Sequence, residues 1–298
     1  MACRPRVLSV GTPSRHATSN PEDFSISGKK KVKSVPLLKK VEHLLQWNLF
    51  KGLMVVFRVL PRSLLFALSQ KMGAIFFLLL PKRKKIALDN LRLALERETT
   101  EEQRETILKR SMANIIYGTT ELIRVAAAPS RFPYNGIRWE GLEHLENALK
   151  QGKGAILVSS HIGNFPLILT GLVQRGFPVQ VIVRNPANPN VADLFNRVRS
   201  RVDLGYIRDK PKEHCVRCAL KCLRNNEALF LQIDLNVISG GVYVDFFGYQ
   251  VPTYIGPVVF AQRTGAPILP IFSVRESRDQ HRVFLEAPVE LIKTGNRD

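Results

Sequence analysis

At 298 residues, 45% hydrophobic and 8% aromatic, the chain can bury one large or two modest cores, which excludes a disordered polymer. Its formal net charge of +19 and isoelectric point of about 10.1 call for an acidic partner: nucleic acid, an anionic membrane surface, or an acidic or phosphorylated substrate. The four cysteines, Cys3, Cys215, Cys218 and Cys222, are too few and too clustered for a disulfide framework, consistent with a reducing, cytoplasm-facing protein.

Residues 1–35 read as a disordered basic tail, rich in Ser, Pro, Lys and Arg and without hydrophobic periodicity. The tail lacks the apolar core and small-residue cleavage site of a secretory signal peptide. Residues 36–85 form an apolar region that Lys51, Arg58, Pro61, Arg62 and Lys71 interrupt, and the basic cluster Pro81-Lys82-Arg83-Lys84-Lys85 ends it. Within it, 63–80 carries one lysine and is close to the length of a membrane span. Two readings stand: a membrane anchor or interfacial helical hairpin, and a pair of buried helices in a soluble domain. Basic clusters bracket the apolar stretch on both sides, which favours membrane association.

Residues 86–95 are amphipathic, and Thr100-Glu101-Glu102-Gln103 is a capping box opening a helix that stops before Pro129. Glu121 lies in that helix among apolar residues; a solvated face is the usual reading and a functional carboxylate the minority one. From Gly136 the pattern alternates. Strands are predicted at 155–159, 179–183, 228–233, 242–247, 268–273 and 283–285, and helices at 142–151, 166–175, 190–201, 213–225 and 256–264. The expected fold is therefore α/β, a mixed, mostly parallel sheet flanked by helices, over 86–298, with the apolar helical region before it. Cys215-Val216-Arg217-Cys218 with His214 and Cys222 supplies one cysteine pair where zinc sites ordinarily use two. A helix with Cys218 and Cys222 stacked one turn apart as small core residues is the better reading.

Ligands in such folds sit beyond the carboxyl ends of the strands. There the chain places Ser160-His161-Ile162-Gly163-Asn164-Phe165-Pro166, after the apolar run Ala155-Ile156-Leu157-Val158-Ser159. A histidine at a strand end is either a structural hydrogen-bond partner or a general base for a hydroxyl nucleophile, since imidazole changes charge near neutral pH. Gly163 permits a tight turn, Asn164 is a candidate N-cap, and Pro166 fits a first helical turn. Gly163, Asn164 and the free N–H groups of the helix start offer a place for a phosphate or an oxyanion. Arg184, ending the second predicted strand, and Arg199 are candidate phosphate contacts; a solvated basic face is the alternative, and the stronger one for Arg199. Asp234, after Ala228-Leu229-Phe230-Leu231-Gln232-Ile233, is a second polar residue on the same rim.

An ordered set of blocks resembles the lipid A biosynthesis (lauroyl and myristoyl) acyltransferases, within the glycerolipid acyltransferase superfamily. The blocks are 85–91, Gly152-Lys153-Gly154 with His161-Ile162-Gly163-Asn164, Arg184-Asn185-Pro186, Asp234, Val244-Asp245-Phe246-Phe247-Gly248 and 261–270. The resemblance implies an O-acyltransferase that needs no metal or organic cofactor. His161 would deprotonate a hydroxyl of a lipid A precursor or lysolipid-like acceptor, which attacks the thioester of an acyl carrier protein or acyl-CoA. It also implies an anionic membrane, the bacterial inner membrane at its cytoplasmic face, as the setting. Acidic carrier and phosphorylated acceptor both match the basic charge, and no nucleic-acid recognition motif competes. Two departures stand out. Pro166 occupies the place of the family's acidic residue and cannot orient an imidazole, so Asp234 or Glu121 must do so, or the chain is a non-catalytic lipid- or carrier-binding relative. The basic, aromatic C-terminal helix of the family has no counterpart up to Asp298, pointing to truncation or divergence there.

Overall fold

A computed structural model of the chain describes residues 37–127, 134–235, 237 and 240–292. The expected tail at 1–35 and the stop before Pro129 lie outside these residues. The chain divides between Glu42 and His43; of the first unit only 37–42, the start of a helix, is described. All other described elements belong to the second unit.

Four helices come first: α1 (Leu37–Val59), α2 (Arg62–Leu79), α3 (Pro81–Leu95) and α4 (Glu101–Ala127). The capping box forms as its spacing predicts. Gln103 N–H donates to Thr100 Oγ1 at 3.2 Å, and Thr100 N–H donates to Gln103 Oε1 at 2.8 Å. Pro81 opens α3, so the expected boundary between 85 and 86 falls inside a continuous helix. Proline at a first helical position loses no intrahelical bond, which lets the basic cluster join the amphipathic segment after it.

By length and composition α2 is able to cross a membrane, yet one side of it packs on α4. Leu65, Ser69 and Phe77 are buried, and the Phe66 and Tyr117 rings meet edge to face at 5.1 Å. A side chain at Gly73 would meet the Lys109 carbonyl at 2.8 Å. The opposite side leaves Leu64, Leu68, Met72, Ile75 and Leu79 exposed. Helix α1 buries no residue, and Arg124 of α4 donates to the Phe57 and Leu60 carbonyls at its end. The apolar region is thus half-packed: neither free of the protein nor enclosed by it.

The rest is an α/β domain with the elements β1 (Ile137–Glu140), α5 (Leu142–Lys150), β2 (Ala155–Ser159), α6 (Phe165–Gln174), β3 (Val179–Val183), α7 (Pro189–Arg201), β4 (Gly205–Arg208), α8 (Lys212–Arg224), β5 (Ala228–Gln232), β6 (Val242–Phe246), β7 (Tyr249–Thr253), α9 (Gly256–Thr264), β8 (Ile268–Arg275) and β9 (His281–Leu285). Seven strands form one sheet in the order β1-β9-β8-β2-β5-β3-β4. From β8 to β4 all neighbours are parallel; β9 runs antiparallel to β8, and β1 follows β9. Parallel strands need crossover helices, which bury both sheet faces. Along β2, Ala155 and Leu157 join a core with α5 and α6, while Ile156 faces a second core with α8 and α9. The fold is the mixed, mostly parallel α/β arrangement that the alternation predicts.

Three strands escape the periodicity. β1 and β4 have four residues each at the sheet edges, with one buried residue apiece and so no alternation to read, and β7 carries Pro252, which counts against a strand. Helix α8 buries Cys215 and Cys222. Cys218, expected in the core beneath Cys222, instead turns to the surface side, its Sγ 3.3 Å from His214 Nε2. One turn of helix advances 3.6 residues, so Cys215 and Cys222, two turns apart, share the inward stripe. Burial pushes the Cys222 thiol well above its ordinary value, toward a neutral, inert side chain, and Glu227 adds to this.

Candidate active site

The parallel pairing of β2 with β5 sets the site. Ser159 stands opposite Gln232, and Ile233 N–H donates to the Ser159 carbonyl at 3.2 Å, so the register continues past both strands. Two residues further on, His161 and Asp234 come opposite each other. The Asp234 carboxylate takes two bonds from the histidine: the backbone N–H to Oδ2 at 2.7 Å and the ring Nδ1 to Oδ1 at 2.8 Å. A carboxylate only accepts, so Nδ1 carries a hydrogen, and Nε2 is the nitrogen that holds the lone pair in the neutral form of the ring. The Phe165 ring lies edge-on to the imidazole at 5.5 Å. The side chains of His161 and Asp234 are 41% and 33% exposed, so solvent reaches the pair, and Nε2 has no hydrogen-bond partner among the described residues. Burial pushes the Asp234 carboxyl up, but the bonds and charge of His161 outweigh it and hold the group below its ordinary value.

The turn after His161 is clamped from beneath. Gly163 has φ +66°, and a Cβ there would come 2.0 Å from the Ser273 carbonyl, so only glycine fits. Asn164 N–H donates to Ser273 Oγ at 3.0 Å, and its Nδ2 donates to Glu121 Oε2 at 2.8 Å. Asn164 thus holds the N-cap position of α6 without a side-chain cap bond. Expected as an N-cap and a ligand contact, it is buried and its carboxamide points inward. Pro166 sits in the first turn of α6, as its backbone chemistry predicts.

Glu121 is the largest departure from expectation. It does not face solvent: its side chain is 8% exposed and binds Arg275, His281 and Asn164. Arg275 Nη1 donates to Oε1 at 2.9 Å, Nη2 pairs with Oε2, and His281 Nε2 lies 3.0 Å from Oε1. The guanidinium also stacks on the Tyr117 ring, 4.7 Å from its centroid. Burial pushes the Glu121 carboxyl up, and the hydrogen bonds of Arg275 and His281 reverse this, leaving it below its ordinary value. A buried carboxylate needs such partners because desolvating an unpaired charge costs several kcal/mol. Glu121 therefore neither contacts His161 nor faces an acceptor; it supports Asn164. Arg275, His281 and Ser273 went unnoticed in the sequence, where a charged residue closing the apolar run of β8 was the one available signal.

Arg184 follows β3, next to β5 in the sheet, and is exposed; its Nε donates to Asp209 Oδ2 at 2.8 Å. With Asn185, Arg208, Asp209 and Lys210 it lines an open cleft of about 360 Å³ at the same carboxyl-end rim. Three cations face one carboxylate there, so the cleft favours an anion. Arg199 does not reach it. That side chain lies half-buried on α7, bonded to Asn196 Oδ1 at 2.8 Å and stacked on Tyr206 at 5.0 Å. The cause is its methylene stem, which finds apolar cover on the sheet edge.

A mixed, mostly parallel α/β sheet with a carboxylate-held imidazole at its carboxyl rim and a basic cleft on the same rim defines the class architecturally: an α/β protein with its polar site beyond the strand ends. Residues 35–298 match the family described as bacterial lipid A biosynthesis acyltransferase, and the chain belongs to that family. It is 31% identical over 144 residues to a phosphatidylinositol mannoside acyltransferase of Mycobacterium tuberculosis (strain CDC 1551 / Oshkosh), covering 46% of this chain and 44% of that one. A phosphatidylinositol mannoside acyltransferase of Mycolicibacterium smegmatis is 28% identical over 136 residues, 44% of this chain and 43% of that protein. A lipid A biosynthesis acyltransferase of Haemophilus influenzae is 24% identical over 234 residues, 76% of this chain and 71% of that protein. The match spans less than half the length of the mycobacterial relatives.

Proposed function

We propose that this protein is an O-acyltransferase that moves a fatty acyl chain from a thioester to a hydroxyl of a phosphorylated lipid acceptor. The carrying observation is the His161–Asp234 pair, with Nδ1 engaged at 2.8 Å and Nε2 open. His161 Nε2 takes the acceptor proton as the hydroxyl oxygen attacks the thioester carbonyl. Asp234 keeps the ring in the correct tautomer and stabilises the imidazolium. The tetrahedral intermediate then expels the thiolate, which recovers the proton from His161, giving an ester and a free thiol. The cleft at Arg184, Arg208 and Lys210 supports binding of the acceptor phosphate or the acidic donor. The donor is an acyl carrier protein or acyl-CoA, and a lipid A precursor is the acceptor that the family membership favours. The exposed apolar side of α2 supports action at a membrane, for which the cytoplasmic face of the bacterial inner membrane is the proposed setting.

Pro166 motivates the competing reading of a non-catalytic relative, and two variants separate the readings. His161→Ala is expected to abolish thiol release and ester formation with both donor types. Pro166→Glu is expected to bring no gain, because Asp234 already holds Nδ1. Wild-type protein that is inactive with both donors, and active only as Pro166→Glu, overturns the proposal.

A further inference from the structure

The Val244-Asp245-Phe246-Phe247-Gly248 block plays no part in the chemistry above, yet it builds the most exposed apolar element of the domain. β6 and β7 pair antiparallel with Val242 opposite Thr253, Val244 opposite Val251 and Phe246 opposite Tyr249. Directly paired residues share a face, so one side of the ribbon is apolar except for Thr253. Every residue of β6 is exposed, and Phe246, Phe247 and Tyr249 are 61%, 55% and 50% exposed. The tip is well defined. Phe247 and Gly248 both have positive φ, as a two-residue hairpin turn requires, and Gly248 N–H donates to Asp245 Oδ1 at 3.1 Å. The Phe246 and Phe247 rings stack edge to face at 4.7 Å.

A two-stranded ribbon with an uncovered apolar face is marginal in water, and such patches mark an interaction. Its surroundings select the partner. The ribbon leaves the sheet just after Asp234 and Leu235, the latter also exposed. It returns to α9 through Tyr254 and Ile255, both exposed as well. Aromatic rings at the tip and the cleft cations Arg184, Arg208 and Lys210, on a chain of net charge +19, match an acyl–headgroup boundary with anionic phosphates above it. We propose that the β6–β7 hairpin, which follows Asp234 in the chain, is a docking finger that inserts Phe246, Phe247 and Tyr249 into the interface of an anionic bilayer. The finger would bring the open Nε2 to the level where a lipid hydroxyl sits, and in that purpose it rests on the lipid-acceptor reading.

The test uses the full chain with Phe247→Trp and vesicles of phosphatidylglycerol and phosphatidylcholine, without donor or acceptor. That makes it independent of acyl transfer. Relative to wild type, the added indole emission should shift to the blue on vesicle addition. Lipids brominated high on the acyl chain should quench it. A second variant, Phe246→Ser with Phe247→Ser, should weaken vesicle binding about tenfold or more, while its thermal melt stays near that of wild type. Added emission that stays unquenched while the protein sediments with vesicles overturns the proposal, as does absence of vesicle binding. A blue shift that depends on protein concentration without vesicles also overturns it, by assigning the face to a second copy.

Discussion

Asp234→Asn is expected to lower kcat for acyl transfer about 10³-fold, or ~4 kcal/mol of transition-state stabilisation, with little change in fold. The carboxylate accepts a hydrogen bond from Nδ1–H and leaves Nε2 as the proposed base. An amide at the same place turns its NH₂ toward Nδ1 as readily as its oxygen. That reverses the tautomer, so Nε2 carries a hydrogen and cannot accept one. It also removes the negative charge that favours imidazolium. Buried triads lose about 10⁴-fold from the equivalent change, and the smaller figure here reflects solvent screening of a half-exposed pair. Steady-state rates with a fixed donor and saturating acceptor check this. A variant within a few-fold of wild type would remove Asp234 from the mechanism and return the question to Pro166.

Glu121→Ala should destabilise the folded protein by about 3–5 kcal/mol, measured by urea or thermal unfolding, because it strands the charge of Arg275 in the interior. Against a total stability of roughly 5–15 kcal/mol, such a loss leaves a marginal protein. Replacement removes an anion from three donors at once: Arg275, His281 and Asn164. Glu121→Gln, which keeps the shape and one acceptor oxygen, should lose less. The sign of the pH dependence follows from the depressed carboxyl. Its folded value lies below the unfolded one of about 4.3, so the stabilisation is complete above that pH and declines as pH falls through the folded value. The gap between wild type and Glu121→Gln should therefore be widest near neutrality and narrow below about pH 4. A constant gap down to pH 3 would contradict an ionised Glu121.

These two carboxylates show what could be read along the chain. Asp234 was legible because it closes an apolar run, and a polar residue at a parallel strand's carboxyl end lies on the ligand rim wherever the strand sits. Glu121 was misread because helical periodicity reports which face is apolar, not whether a charge on it meets a partner from elsewhere. Arg275 and His281 lie 154 and 160 residues further along. Asn164 shows the same limit. Its type and position match an N-cap, but a buried carboxylate competes more strongly for its amide than the helix does for its oxygen.

By itself the sequence determined the local elements: the capping box at Thr100, the bounds of β2 and β3, the turn at Gly163, and a histidine and an aspartate each at a strand end. Such features depend on side-chain spacing and on bonds between residues close in the chain. Only the tertiary structure decided that β2 and β5 are neighbours, in the register that sets His161 against Asp234 across 73 residues. It alone put Glu121 beneath the turn that carries the histidine. Strand order and buried ion pairing arise from packing and desolvation of the whole domain, and no local pattern of residues encodes them.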